Sequence, residues 1–138
     1  MRRDVNGLVA YLAARAHMPH EFGDTKNDCM SFPGGAVKAQ IGRNPIRGLK
    51  WKSHASAMSL LNKLGGVEAV LDARFERVAP ALAQRGDIAV IPDPELGSHP
   101  MIIEGATVCA PGENGLKHAP RSAITAAWDI TRPKKAKL

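Results

Sequence analysis

The sequence predicts an α+β domain in which N-terminal helices pack on a small antiparallel sheet. Apolar residues recur at helical spacing through the first half of the chain, then fall into short strand-like runs bounded by glycine and proline from Ile88 onward. A chain of 138 residues, 44% of them apolar, has enough material for one modest core. These features predict a single domain over residues 1–131, followed by a basic tail at 132–138.

Asp4 is placed to cap a first helix, because Val5, Leu8, Val9 and Leu12 then repeat on one face until Pro19 approaches. A polar stretch, Glu21 to Asn27, leads to a second helix with Asp28 as its cap, Cys29 in its first position and Gly42 as its stop. Pro33 and the glycine pair after it predict an irregular first turn, since proline removes one ladder donor. Ser53 caps a third helix through Ala57, Met58, Leu60, Leu61 and Leu64, and Gly65-Gly66 ends it. A short helical stretch, Val67 to Arg74, follows. Beyond a Gly-Asp turn, strands are predicted at Ile88 to Ile91, Pro100 to Glu104, Ala106 to Ala110 and Trp128 to Ile130, and the chain from Pro133 onward carries no ordering signal.

Nineteen Lys plus Arg against thirteen Asp plus Glu give a formal charge of +6. Arg2, Arg3, Arg132, Lys134, Lys135 and Lys137 lie at the two ends, so the body between them is neutral. It is also polarised: no acid occurs between Asp28 and Glu68, where Lys38, Arg43, Arg47, Lys50, Lys52 and Lys63 all fall. Trp51 among these lysines suggests a stacking aromatic on a nucleic-acid patch, but low aromatic content and the lack of any nucleic-acid motif favour a solvated face or a docking surface for an acidic protein partner. No apolar run is long enough to span a bilayer, and the N-terminus carries no export signal, so the expectation is a soluble protein made in the cytoplasm with Cys29 and Cys109 as free thiols.

Cysteine at a helix start lies where the dipole and unpaired N–H groups favour a thiolate, which makes Cys29 the candidate nucleophile and predicts a depressed pKa. A cysteine is equally a small core residue, so a base must accompany it. Of five histidines, His17 and His20 flank a helix end, His54 lies in the first turn of a helix and His118 lies in a polar loop. His17, His20 and Cys29 lack a fourth ligand at metal-site spacing, and no metal or other cofactor is expected. His99 differs, because it opens the run Pro100-Met101-Ile102-Ile103-Glu104-Gly105 and would be held on a strand facing the helices. A strand-borne base opposite a helix-borne cysteine is the arrangement thiol acyl transfer needs.

Asp28-Cys29 at a helix start, Arg85-Gly86-Asp87-Ile88-Ala89-Val90 at a strand start, and His99 heading a strand that ends Ile103-Glu104-Gly105 resemble the motif order of NlpC/P60-type cysteine peptidases, which have a papain-like fold. More closely, the chain resembles the DUF6950 family of phage and prophage proteins. That likeness runs through Phe22-Gly23, Gly42-Arg43-Asn44-Pro45, Arg47-Gly48, Gly65-Gly66, Ala83-Gln84-Arg85-Gly86-Asp87, Ala110-Pro111-Gly112, Gly115-Leu116 and Ala127-Trp128. The resemblance implies Cys29 as nucleophile, His99 as general base, and Asp28 as both helix cap and binder of the free amine of a peptidoglycan stem peptide. It further implies a protein assembled into a phage tail tip, with other tail or hub proteins as partners.

Two positions depart from the peptidase pattern. The strand after the histidine strand offers only Thr107 and Cys109 where a polar orienter is usual, and Met30-Ser31-Phe32-Pro33 replaces a small pair after the cysteine. Two expectations therefore stand: a peptidase or amidase acting on stem peptides, or a catalytically inactive tail component that uses the same fold to bind its neighbours.

Overall fold

The computed structural model describes residues 2–134. Helix α1 spans Val5–Arg15, and the Asp4 carboxylate accepts the Gly7 N–H at 2.9 Å as its cap. Helix α2 spans Ser31–Ile41 and ends at Gly42, whose φ of 80° is the left-handed conformation that lets the cap N–H turn back to Lys38. The expected irregular start is present: Cys29 and Met30 form a turn ahead of α2, so Cys29 lies two residues before the helix rather than in its first position. Pro33 then falls in the first turn, where N–H groups have no helical acceptor to lose. Helix α3 spans His54–Leu64, closed at its N-terminus by a reciprocal Ser53–Ser56 capping box, and α4 spans Val67–Asp72.

Six strands follow: β1 Phe75–Val78, β2 Ile88–Asp93, β3 Gly97–Ile103, β4 Thr107–Gly112, β5 Gly115–Pro120 and β6 Ala126–Pro133. They form one antiparallel sheet in the order β1-β6-β2-β3-β4-β5. The predicted α+β class and antiparallel sheet are observed, while β1 and β5 have no counterpart in the sequence reading. Both are short and mostly exposed, so neither shows the apolar run that marks a central strand.

Alternation along the strands divides the apolar residues into two clusters. Ile88, Val90, Ile102, Cys109, Trp128 and Ile130 meet Leu8, Phe32, Val37, Trp51, Val70 and Phe75 in the main core. Ala89, Met101, Ile103, Val108, Ala110 and Ala127 form a smaller cluster with Ala83.

Arg3, Arg132 and Lys134 are held against the body of the domain. Arg3 donates to the Arg85 carbonyl at 2.7 Å and to the Asp87 carboxylate at 3.0 Å, and its guanidinium also lies 3.6 Å from Asp129. Arg132 of β6 pairs with Glu76 of β1 at 2.9 Å, and Lys134 donates from its backbone to Arg74. Pro133, read as the start of an unstructured tail, ends β6, and Lys134 is held by that contact; residues 135–138 lie outside the described residues. Asp87 is the carboxylate of the Gly-Asp turn, almost fully buried, and also accepts the backbone N–H groups of Gln84 and Ile130. Burial raises its pKa, with Arg3 and these N–H groups opposing the rise.

Arg3→Ala leaves that buried charge without its cation, and at neutral pH the expected loss of stability is about 2 kcal/mol or more by denaturant titration. Removing Arg3 lifts the folded-state pKa of Asp87 further above its unfolded value. Between those values the folded state binds more protons, so the deficit is full above the folded pKa and shrinks as pH falls through it. A deficit that stays constant or grows on acidification contradicts this assignment.

Candidate functional site

The turn that carries Cys29 is built around Asp28. Its carboxylate accepts the backbone N–H groups of Gly23, Met30 and Ser31, each at 2.9 Å, the Ser31 hydroxyl at 3.0 Å, and the Trp51 indole N–H at 2.6 Å. One buried carboxylate thus ties the preceding loop, the start of α2 and the segment before α3 to a single point. Asp28 is 1% exposed and does not line the cavity beside Cys29. The five hydrogen bonds that the carboxylate accepts all come from its own fold.

Cys29 and His99 line the same cavity, about 300 Å³ in volume, which opens between the 20–29 segment, α3 and the β2–β3 hairpin. His99 lies on β3 opposite Ile91 of β2. Pairing of β3 with β4 is confined to Ile102 and Ile103, so His99 sits on a stretch whose other edge is free of strand pairing. Its Nδ1 is 3.0 Å from the Pro100 carbonyl, an acceptor, so Nδ1 carries the proton and Nε2 the lone pair. A backbone carbonyl thereby fixes the tautomer that a side chain usually fixes. The two candidates for the missing orienter do not reach the ring: the Thr107 hydroxyl donates to Glu104, and Cys109 is fully buried in the main core.

Asp93 is the polar residue that the sequence reading missed. Strand β2 continues through Pro92 to Asp93, which pairs with Gly97 in the hairpin and so lies diagonal to His99. Its carboxylate accepts the N–H groups of Glu95 and Leu96, both at 2.8 Å, and those bonds hold its pKa below the ordinary carboxylate range. Asp93 stays ionised beside the cavity and favours a protonated His99. The legible signal was the short connection between Ile91 and His99, which forces a hairpin and places an aspartate at its turn.

The electrostatics overturn one expectation. Burial, with the Asp28 charge next and Asp93 adding, pushes the Cys29 thiol up to about 12, against its own backbone N–H and Lys117, which favour the thiolate. Before the helix rather than in its first turn, Cys29 faces a carboxylate at close range, and the Met30 and Ser31 N–H groups that would stabilise its thiolate are consumed by Asp28. Burial, with Lys117 next, holds His99 below the ordinary histidine range, while the Pro100 carbonyl and Asp93 oppose that shift. The resting pair is a neutral thiol and a neutral imidazole, and among the described residues the two are not hydrogen-bonded to each other.

Other histidines contribute more to this cavity than their sequence positions suggest. The His20 ring packs edge-on against Phe22 at 4.5 Å, and Phe22 packs on His54 at 5.1 Å, forming an aromatic wall. His54 Nε2 lies 2.6 Å from Glu95 across the mouth. His17 is exposed, and His118 pairs with Glu104 on the outer part of the sheet. Among the described residues no three His, Cys, Asp or Glu side chains are grouped to hold a metal, and no helix is long and apolar enough to cross a membrane.

Both cysteines are free thiols, Cys29 half-buried and Cys109 buried. Iodoacetamide is expected to modify Cys29 before Cys109 because only the former reaches a cavity. The Cys29 rate is expected to climb about tenfold per pH unit from about pH 7 to about pH 10, since the thiolate fraction grows by that factor below the pKa. A rate that plateaus near neutrality would mean a stable thiolate–imidazolium pair instead.

Among curated proteins none matches the chain significantly. The family described as a domain of unknown function, DUF6950, matches residues 1–130, nearly the whole chain and all of the cavity just described. The chain belongs to the DUF6950 family.

Proposed function

We propose that this protein is a thiol-dependent peptidase or amidase of NlpC/P60 type, with Cys29 as nucleophile and His99 as general base. The observation that carries the reading is that these two residues, 70 positions apart in sequence, line one cavity. In the reaction His99 Nε2 takes the thiol proton as Cys29 Sγ attacks the carbonyl carbon of an amide. By resemblance, the Cys29 N–H donates to the developing oxyanion. The C–N bond then breaks, the imidazolium returns its proton to the leaving amine, and water hydrolyses the thioester.

A raised thiol pKa does not forbid this chemistry. Transfer of the proton from a thiol near 12 to an imidazole below its ordinary 6.5 costs about 7 kcal/mol or more. The whole barrier of an enzyme turning over about ten times per second is about 16 kcal/mol, so the transfer fits within it. Asp93 helps by favouring the imidazolium.

By resemblance, the substrate is the stem peptide of peptidoglycan and the setting a phage tail tip. With Asp28 committed to the fold, Asp93 and Glu95 are the carboxylates at the cavity available to a substrate amine. A second reading, an inactive tail component that binds neighbouring subunits, is favoured by the buried, protonated state of Cys29. Digestion of purified peptidoglycan by wild type and by Cys29→Ala separates the two. New muropeptides from wild type alone support the enzyme; identical profiles support the inactive component.

A further inference from the structure

We propose that the loop after α2 forms a binding cleft for a multivalent phosphate anion, separate from the Cys29 cavity. A cleft of about 490 Å³ is lined by Lys38, Arg43, Arg47 and Lys50, with Asp24 as its one carboxylate. It shares no lining residue with the cavity of Cys29 and His99. Asp24 lies 3.7 Å from Lys50, and among the described residues Lys38, Arg43 and Arg47 make no ion pair. The chain supplies no other acid nearby in sequence, because none occurs between Asp28 and Glu68. Four cations against one carboxylate is an uncompensated field of the kind that collects anions.

The backbone that carries those cations is pinned. Lys38 lies in the last turn of α2, and Arg43 follows the left-handed Gly42. Ile46 and Leu49 are buried anchors, while Arg43, Arg47 and Lys50 between and beyond them are exposed. The Asn44 side chain accepts the Ile46 N–H at 3.1 Å, and the Pro45 carbonyl accepts Arg74 Nε at 2.7 Å. Gly34 of α2 leaves room for this packing, since a Cβ there would come within 2.8 Å of Asn44 Oδ1 and Ile46 Cγ1. With the loop backbone pinned, only the side chains are left to be ordered when the guanidinium groups bind an oxyanion.

Phosphate fits this cleft better than a base-bearing strand or an acidic peptide. The one aromatic of the basic band, Trp51, is 4% exposed and its indole N–H is bound to Asp28, so it offers no stacking face. The apolar lining residues Ile46 and Leu49 are turned into the core and leave no pocket for a peptide anchor. What remains is dense, multivalent cationic charge, matched by several closely spaced phosphate oxygens.

Calorimetric titration of the full chain at low salt tests this with three probes: inorganic tripolyphosphate, a glycerol-phosphate oligomer, and poly-glutamate of matched charge. Saturable binding of either phosphate probe is expected, weakened about a hundredfold in the Arg43→Ala/Arg47→Ala variant at unchanged melting temperature, and unchanged in Lys63→Ala, whose residue lies outside the cleft. Tighter binding of tripolyphosphate identifies free phosphate as the source, and tighter binding of the oligomer identifies a phosphodiester chain. The proposal is overturned if neither phosphate probe saturates, if the double variant binds as wild type does, or if poly-glutamate binds as tightly as the better phosphate probe. The last result would make the cleft a dock for an acidic protein.

Discussion

A His99→Ala variant is expected to lose about four orders of magnitude in turnover on a peptide or soluble muropeptide, the size of loss seen when a triad enzyme is deprived of a functional member. The mechanism makes this large because the Cys29 thiol, held near 12, is not ionised on its own. An enzyme with a preformed thiolate keeps some activity without its base, whereas here the proton has no other assigned acceptor. Asp93→Asn is expected to cost far less, about tenfold, since Asp93 acts on the ring through its charge and not through a hydrogen bond. Its signature is a shift of the acidic limb of kcat/KM to lower pH, because the reaction needs the unprotonated ring and loss of the carboxylate lowers the His99 pKa further. Initial rates across pH for the two variants check both statements, and a His99→Ala variant within tenfold of wild type contradicts the role of the ring.

Asp28→Ala is expected to be the most damaging substitution for stability, at about 3 kcal/mol or more by denaturant titration. It strands the Gly23, Met30 and Ser31 N–H groups and the buried Trp51 indole N–H at once. Asp28→Asn keeps the shape and a carbonyl acceptor while removing the charge, so it should cost less. It should also speed Cys29 alkylation at neutral pH, because the Asp28 charge is, after burial, the largest influence raising that thiol's pKa. Slower alkylation in a folded Asp28→Asn protein contradicts the electrostatic account of the cysteine.

What the sequence made legible was set by local chemistry. Caps and stops such as Asp4, Ser53, Gly42 and Gly65 marked helix ends because each performs its function within a few residues. The Gly-Asp turn before β2 was equally local: the Asp87 N–H returns to the Gln84 carbonyl, and its carboxylate caps the Gln84 N–H. Cys29 and His99 could be paired because each sits at the edge of an element with an apolar run behind it. What escaped depended on tertiary contacts. The partners of Asp28 include Trp51, 23 residues away, so its part in joining the loop, α2 and the segment before α3 was not legible from the chain. Arg3 read as part of a basic arm, yet its partners Asp87 and Asp129 arrive from the turn before β2 and from β6. Strands β1 and β5 escaped because an exposed edge strand need not alternate apolar and polar residues.

Trapping the acyl-enzyme tests the central claim most directly. Wild type, Cys29→Ala and His99→Ala are mixed with an activated peptide ester, quenched in acid, digested and weighed by mass spectrometry. The account predicts an acyl adduct on the peptide containing Cys29 in wild type, none on that peptide in Cys29→Ala, and accumulation at least about a hundredfold slower in His99→Ala. Equal adduct formation in wild type and His99→Ala, or acylation at other residues with Cys29 unmodified, would contradict it.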